Sequence, residues 1–296
     1  MDFIGKRYLF LGLSAALVVA SFLAISFYGF NEGIDFTGGA LWTLRFASNP
    51  EITEVTAVLE SDLGETVVGT LDSNNNYLLR FGDADEERHQ YLFQKLSERF
   101  PGVEELSFQS IGPSIGTELR RNALVALVLV LVGISIYIAF AFRKVSRPVS
   151  SWKYGAVTLV TLLHDIVIPA GMFALLGHFV GAEVDTNFIV ALLVVMGFSV
   201  HDTIVVFDRT RENLIHARDR ERLSEIVNQS LNETFVRSVN TSLTLIIVLV
   251  ALLLLGPASL HLFILTILVG VVAGTYSSIF VASPLLTVWY DWSRRA

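Results

Sequence analysis

FIVALLVVMGFSVHDTIVVF, residues 188–207, decides how this chain must be read. Twenty residues in a helix match the roughly 30 Å hydrocarbon thickness of a bilayer. The run is apolar, except that Ser199 and His201-Asp202-Thr203 sit inside it. Length and hydropathy therefore predict a membrane-spanning helix. The interruption puts an ionisable pair where a charge costs about 2.5–3.5 kcal/mol on insertion scales.

Similar runs lie on both sides, at 8–28, 122–142, 154–176, 238–255 and 260–288, giving six expected spans. The first follows Lys6 and Arg7 but is too long for a cleaved leader and has no small-x-small site after it, so it reads as an uncleaved anchor. Hydrophobic residues make up 53% of the chain, more than a soluble domain carries. There is no cysteine, which excludes disulfides, thiolate metal sites and cysteine nucleophiles. The net charge is −7, and no basic field suited to nucleic acid is present.

The loops set the expected orientation. Arg143, Lys144, Arg147 and Lys153 fill the second connection. Arg209, Arg211, Arg218, Arg220 and Arg222 crowd the fourth, and Arg294 and Arg295 follow the last span. Glu183 and Asp185 occupy the third. The positive-inside rule then puts both termini in the cytoplasm and residues 29–119 outside. The expected domains are 1–28, a short stub with the first span; 29–119, an external domain; and 120–296, five further spans. The charged but amphipathic stretch 209–237 has Leu223, Ile226, Val227 and Leu231 on one face and is expected to lie on the cytoplasmic membrane surface.

Within 29–119 the periodicity switches between two and 3.6. Strands are expected at 40–46, 65–71, 77–81 and 103–111, with turn chemistry at Ser73-Asn74-Asn75-Asn76. Helices are expected at 51–63, through Ile52, Val55, Val58 and Leu59, and at 85–100, with Tyr91, Leu92, Leu96 and Phe100 on one side. Strand–helix–strand–strand–helix–strand is the split βαβ, ferredoxin-like order. The fold class is thus an α-helical polytopic membrane protein with an α+β external domain between its first two spans.

A second polar pair, His164-Asp165, lies mid-span in the third helix. Counted from the expected span ends, Asp165 lies ~16 Å and Asp202 ~9 Å from the cytoplasmic side, near enough for one shared site. Ser199, Asp202 and Thr203 share a helical face. Pro169 removes a helical N–H one turn from Asp165. Arg237 stands at the mouth of the fifth span as a counter-charge, and Asn240, Thr241 and Thr244 continue its polar stripe. The chemical reading is a proton relay, because carboxyls enclosed by helices exchange charge for a proton when a guanidinium moves toward or away from them. The plainer reading is interhelical glue. Gly270 and Gly274, with Ser278 a turn on, form a close-packing face. Gly33, Asp35, Gly38 and Gly39 read as a conformational junction, since paired glycines permit φ > 0.

Several segments together resemble the SecF family of protein-export membrane proteins. They are Gly33-Ile34-Asp35-Phe36-Thr37-Gly38-Gly39, Ile111-Gly112-Pro113-Ser114-Ile115-Gly116 with Glu118-Leu119-Arg120-Arg121, and Leu163-His164-Asp165. To these add Ser199 to Arg209 with Arg211-Glu212-Asn213, and Asn228-Gln229-Ser230-Leu231-Asn232-Glu233-Thr234 with Arg237 and Thr241-Ser242. His201 departs from the family, which usually has Asn there. The resemblance implies an RND-type half in the bacterial inner membrane. It also implies a SecD partner, the SecYEG translocon and exported preproteins as contacts alongside membrane lipids, and no nucleic acid. It implies no cofactor, the proton serving as coupling ion. By motif, Asp202 becomes the leading proton carrier and Arg237 its partner, with Asp165 and Asp208 secondary, beside His201, His164 and Thr203. The alternatives are an RND-type half-transporter for small molecules or lipids, a purely structural subunit, and an intramembrane enzyme. The last lacks H-E-x-x-H and G-x-S-x-G, and no G-x-x-x-x-G-K-[ST] loop is present for ATP.

Overall fold

The computed structural model describes residues 1–296 except 72–74, 145–148, 218–221 and 295–296. Ser73 and Asn74 of the expected turn, and the loop residues Arg147, Arg218, Arg220 and Arg295, lie outside the described residues. The chain divides into two compact units, Glu32–Leu124 and Met1–Asn31 with Val125–Ala296.

The chain opens with helix α1, Arg7–Tyr28, followed after a short connection by the helical turn α2, Ile34–Thr37. The rest of the first unit runs β1 Gly39–Phe46, α3 Ile52–Leu63, β2 Val68–Leu71, β3 Tyr77–Phe81, α4 Glu86–Arg99 and β4 Val103–Ile111. This is the expected element order. The sheet order is β2-β3-β1-β4, with every neighbouring pair antiparallel. Only β2 is clearly shorter than its reading. Its first residues, Glu65, Thr66 and Val67, leave the ladder, and Glu65 instead accepts from the Gly82 N–H at 2.9 Å.

Alternation along β1 buries Ala40, Trp42, Leu44 and Phe46 against Val55 and Leu59 of α3 and Leu92 and Leu96 of α4. Tyr91 departs from expectation. It is about half exposed, and His89 takes the inward place. The buried stripe of α4 follows 89, 92 and 96, and Tyr91 falls a full residue step (~100°) away from Leu92. His89 is accommodated because its ring stacks on Phe108 at 3.8 Å, and its Nε2 lies 2.6 Å from Glu105 Oε2, which also accepts from Trp42 Nε1 at 2.8 Å.

Apart from the first turns of one of them, the helices long and apolar enough to cross a membrane lie in the second unit. Six are found among the described residues. After α1 they are α5 Pro113–Ala141, α6 Ser151–Val180, α7 Thr186–His216, α8 Leu223–Leu255, and a last span built of α9 His261–Ser277, a π-helical segment Ser278–Ala282 and α10 Ser283–Ser293. Each helical span overruns its apolar stretch at one end or both. Pro113, for example, is the first residue of α5, where a missing N–H costs nothing.

The separate surface helix expected within 209–237 is not what forms. Residues up to His216 continue α7, and those from Leu223 begin α8. The apolar face of Leu223, Ile226, Val227 and Leu231 is buried against Phe207 and Val206. An intramolecular core was available for that face, so it has no need of a lipid surface. The Gly270 and Gly274 face packs inside the bundle. A Cβ on Gly270 would lie 2.2 Å from Val195 Cγ2, and one on Gly274 would lie 2.9 Å from Ser199 Cβ.

Candidate functional site

Short side chains on α9 let it approach α7 closely, and the two buried carboxyls of the bundle lie along this seam. Asp165 on α6 is fully enclosed, and Asp202 on α7 is 2% exposed. Asp165 Oδ1 lies 2.8 Å from His164 Nδ1. Its Oδ2 accepts from Ser277 Oγ of α9 at 2.8 Å and from Ser199 Oγ of α7. Asp202 Oδ2 accepts from Ser242 Oγ of α8 at 3.1 Å, and Ser242 accepts in turn from Thr275 Oγ1 of α9 at 2.7 Å. Helix α7 therefore touches both acids through Ser199 and Asp202, one turn apart. Helix α9 reaches both through Thr275 and Ser277. Pro169, inside α6, withholds the N–H that would have bonded the Asp165 carbonyl four residues earlier.

Among the described residues neither acid pairs with Arg or Lys. A buried charge without a counter-ion carries a penalty of several kcal/mol. Two events remove it, a proton arriving or a cation approaching. Hydroxyls suit such a site because they serve as donors or acceptors according to the state of the acid beside them.

The seven residues singled out by sequence do not all meet. Asp165, Asp202 and His164 are inside, and His164 Nε2 is buried with no hydrogen-bond partner among the described residues. Thr203 is buried beside them, and among the described residues its hydroxyl meets the Ser199 carbonyl at 3.3 Å and neither acid. Arg237 is exposed on α8. It is not among the groups bonded to Asp202. His201 points out of the bundle, as do Asn240 and Thr244. Asp208 lies away from the network, 67% exposed and 3.5 Å from Arg211 Nη1. The hydroxyl donors Ser242, Thr275 and Ser277 were not anticipated. For Ser242 the signals are its place in the family motif and its spacing, one turn from Ser238 on the buried side of α8. Replacing Ser242 with Ala leaves Asp202 without its hydroxyl donor and breaks the link to Thr275. The expected loss is about fivefold in any gradient-dependent activity, the worth of about one hydrogen bond, measured against unchanged membrane accumulation.

Glycines build the junction at 33–39. Gly33 caps the short α2, and Thr37 N and Oγ1 both donate to its carbonyl at 3.1 Å. Gly38 and Gly39 have φ of 75° and 113°. A Cβ on Gly38 would lie 2.7 Å from Pro113 Cα, and one on Gly116 would lie 2.8 Å from Gly38 N. The two glycine-bearing segments around 33–39 and 111–116 thus lie directly against each other.

Comparison with known proteins agrees with this architecture. Residues 92–292 match the family described as protein export membrane protein SecD/SecF, C-terminal, and residues 23–49 match the SecD/SecF GG motif. The chain is 42% identical over 301 residues to the protein translocase subunit SecF of Thermobaculum terrenum, covering 98% of this chain and 94% of that one. It is 38% identical over 296 residues to the SecF subunit of Anaerolinea thermophila, with the same two coverages. Among solved structures, SecDF of Thermus thermophilus, titled a translocon-associated membrane protein, superposes with a TM-score of 0.83 at 35% identity. This chain is covered to 98% and spans 39% of the SecDF chain. A second SecDF structure, in a super-membrane-facing form, gives a TM-score of 0.69 at 34% identity, covering all of this chain and 39% of that one.

Proposed function

The chain belongs to the SecD/SecF family of protein-export membrane proteins, and from that premise we propose that it acts as an auxiliary subunit of a Sec protein translocase, coupling the proton gradient to export. Its partners in this reading are a SecD-type subunit, which SecDF carries in the same polypeptide, the SecYEG channel and the exported preprotein. It sits in the bacterial inner membrane with both termini inside and the unit around 29–119 outside. It carries out no reaction of its own and uses no cofactor; the proton is the coupling ion.

The observation that carries this reading is the pair of enclosed carboxyls, Asp165 and Asp202, bonded to hydroxyls of neighbouring helices and to no Lys or Arg among the described residues. When Asp202 loses its proton, the cheapest compensation is Arg237 swinging inward from its exposed place on α8. That movement rearranges α7 against α8. When Asp202 regains a proton, the attraction ends and the helices return. Each charge crossing 100 mV supplies ~2.3 kcal/mol, enough to bias two states a few kcal/mol apart.

The test is preprotein export into membrane vesicles with and without an imposed gradient, for Asp202→Asn and Arg237→Met, each checked for stable insertion. Loss of the gradient-dependent component in both is expected. Full stimulation in both would leave only a structural subunit.

A further inference from the structure

The relay uses Ser199 and Asp202 of the motif at 199–213, and nothing of the one at 228–234. Several of the remaining polar residues of the two motifs meet each other. Arg209 Nε donates to Glu233 Oε2 at 2.5 Å, and its Nη1 donates to Glu212 Oε2 at 2.5 Å. Asn213 Nδ2 donates to the same Glu233 Oε2 at 2.9 Å and to Ser230 Oγ at 2.9 Å. Gln229 Nε2 donates to Glu233 Oε1 at 2.8 Å. One carboxylate therefore gathers donors from three side chains on both helices, at the ends of α7 and α8 nearest their connection. The same stretch of α8 is held from another side. Asn228 Oδ1 accepts from the Phe3 N–H at 2.8 Å, and Asn228 and Asn232 both donate to the Met1 carbonyl.

A network this exposed, with the Arg209 and Glu233 side chains 37% and 31% accessible, adds little to fold stability. What it does fix is register. Three bonds cross between the helices here, from Arg209 to Glu233 and from Asn213 to both Glu233 and Ser230, so rotating or sliding one helix on the other breaks them together. Asp202 lies seven residues, about 10 Å, further along α7 from Arg209. Two antiparallel helices fastened at that end can respond to a change at Asp202 only by tilting or turning about the fastening.

We propose that Arg209 and Glu233, with Asn213, form a clamp that serves as the pivot of the α7–α8 pair, holding Ser242 and Arg237 of α8 at the right rotation to meet Asp202. They are positioning residues. The proposal rests on the relay reading above, and adds the residues that convert protonation into a defined helix motion.

The test uses the full chain assembled with its translocase partners in membranes. Arg209→Glu and Glu233→Arg are made singly and together, beside Asp202→Asn. Each single reversal is expected to cut gradient-stimulated export about fivefold or more, with export in the absence of a gradient unchanged, and the double swap is expected to restore at least half. A merely structural role would lower both components together and track the amount of inserted protein. If a reversal lowers accumulation, Glu233→Gln, which keeps the side chain's shape, is read by the same split. The clamp is overturned if the single variants keep full gradient stimulation, or if the swap restores accumulation without restoring stimulation. A normal Asp202→Asn would overturn the relay itself; a defective Asp202→Asn beside unaffected clamp variants would overturn the clamp alone.

Discussion

Exchanging Asp202 for Asn is expected to leave an inserted, folded chain whose export no longer responds to the gradient. Asn has nearly the volume of Asp, and its amide oxygen can still accept from Ser242, so the packing of α7 against α8 and α9 is kept. What is lost is the ability to bind and release a proton. At ~2.3 kcal/mol for one charge across 100 mV, the lost bias is about 50-fold between two helix arrangements. No nearby group can substitute. Asp165 is held by Ser199 and Ser277, and His201 faces away from the bundle. Asp202→Glu keeps the proton but pushes the carboxyl one methylene further, and should retain part of the response. The comparison is export with and without a gradient at matched amounts of inserted protein.

The second large effect is expected at Gly39. Its φ of 113° is closed to L side chains, and any Cβ there would approach the Phe81 carbonyl oxygen to 2.7 Å. Neither partner can yield, because Ala40 pairs with Phe81 in the β1–β3 ladder. Gly39→Val combines backbone strain with a clash, and should cost about 3 kcal/mol or more. Gly64 provides the control. It is left-handed at φ 71° but has open space around its Cβ position, so Gly64→Ala should cost only about 1 kcal/mol. Limited proteolysis of residues 32–124 in the full chain compares the two. Equal resistance in both variants would show that the tight fit at Gly39 is unimportant.

How far the sequence carries differs between the units. In the external unit, alternation around Trp42 and the 3.6-residue spacing of Leu92 and Leu96 put the elements nearly where they are found. Both patterns come from burial on one face, and burial on one face is what periodicity records. Tyr91 reads as inward, and His89 goes unread, because hydropathy ranks tyrosine above histidine for burial. It does not register that a histidine with a carboxylate partner and an aromatic face can be enclosed.

In the membrane the spans were legible from length alone, and the acids from their cost. Which side of a helix faced its neighbours was not. A span in lipid is apolar all round, so its inward face leaves little periodic trace. Arg237 therefore reads as part of an inward stripe yet is exposed, while nothing in the hydropathy marks Ser242 and Ser277, which bond the two acids. The stretch 209–237 misled for a related reason. An amphipathic face means only that something apolar will cover it, and here the cover is the chain's own core around Phe207 and Val206.

Direct observation of the proton on Asp202 tests the central claim most closely. Infrared difference spectra of membranes holding the assembled translocase, taken as a gradient is imposed, should show the carbonyl stretch of a protonated carboxyl. In Asp202→Asn that band should vanish while the rest of the spectrum stays in place. An unchanged band in the variant, or none in the parent protein, would mean that this residue does not exchange protons with the gradient.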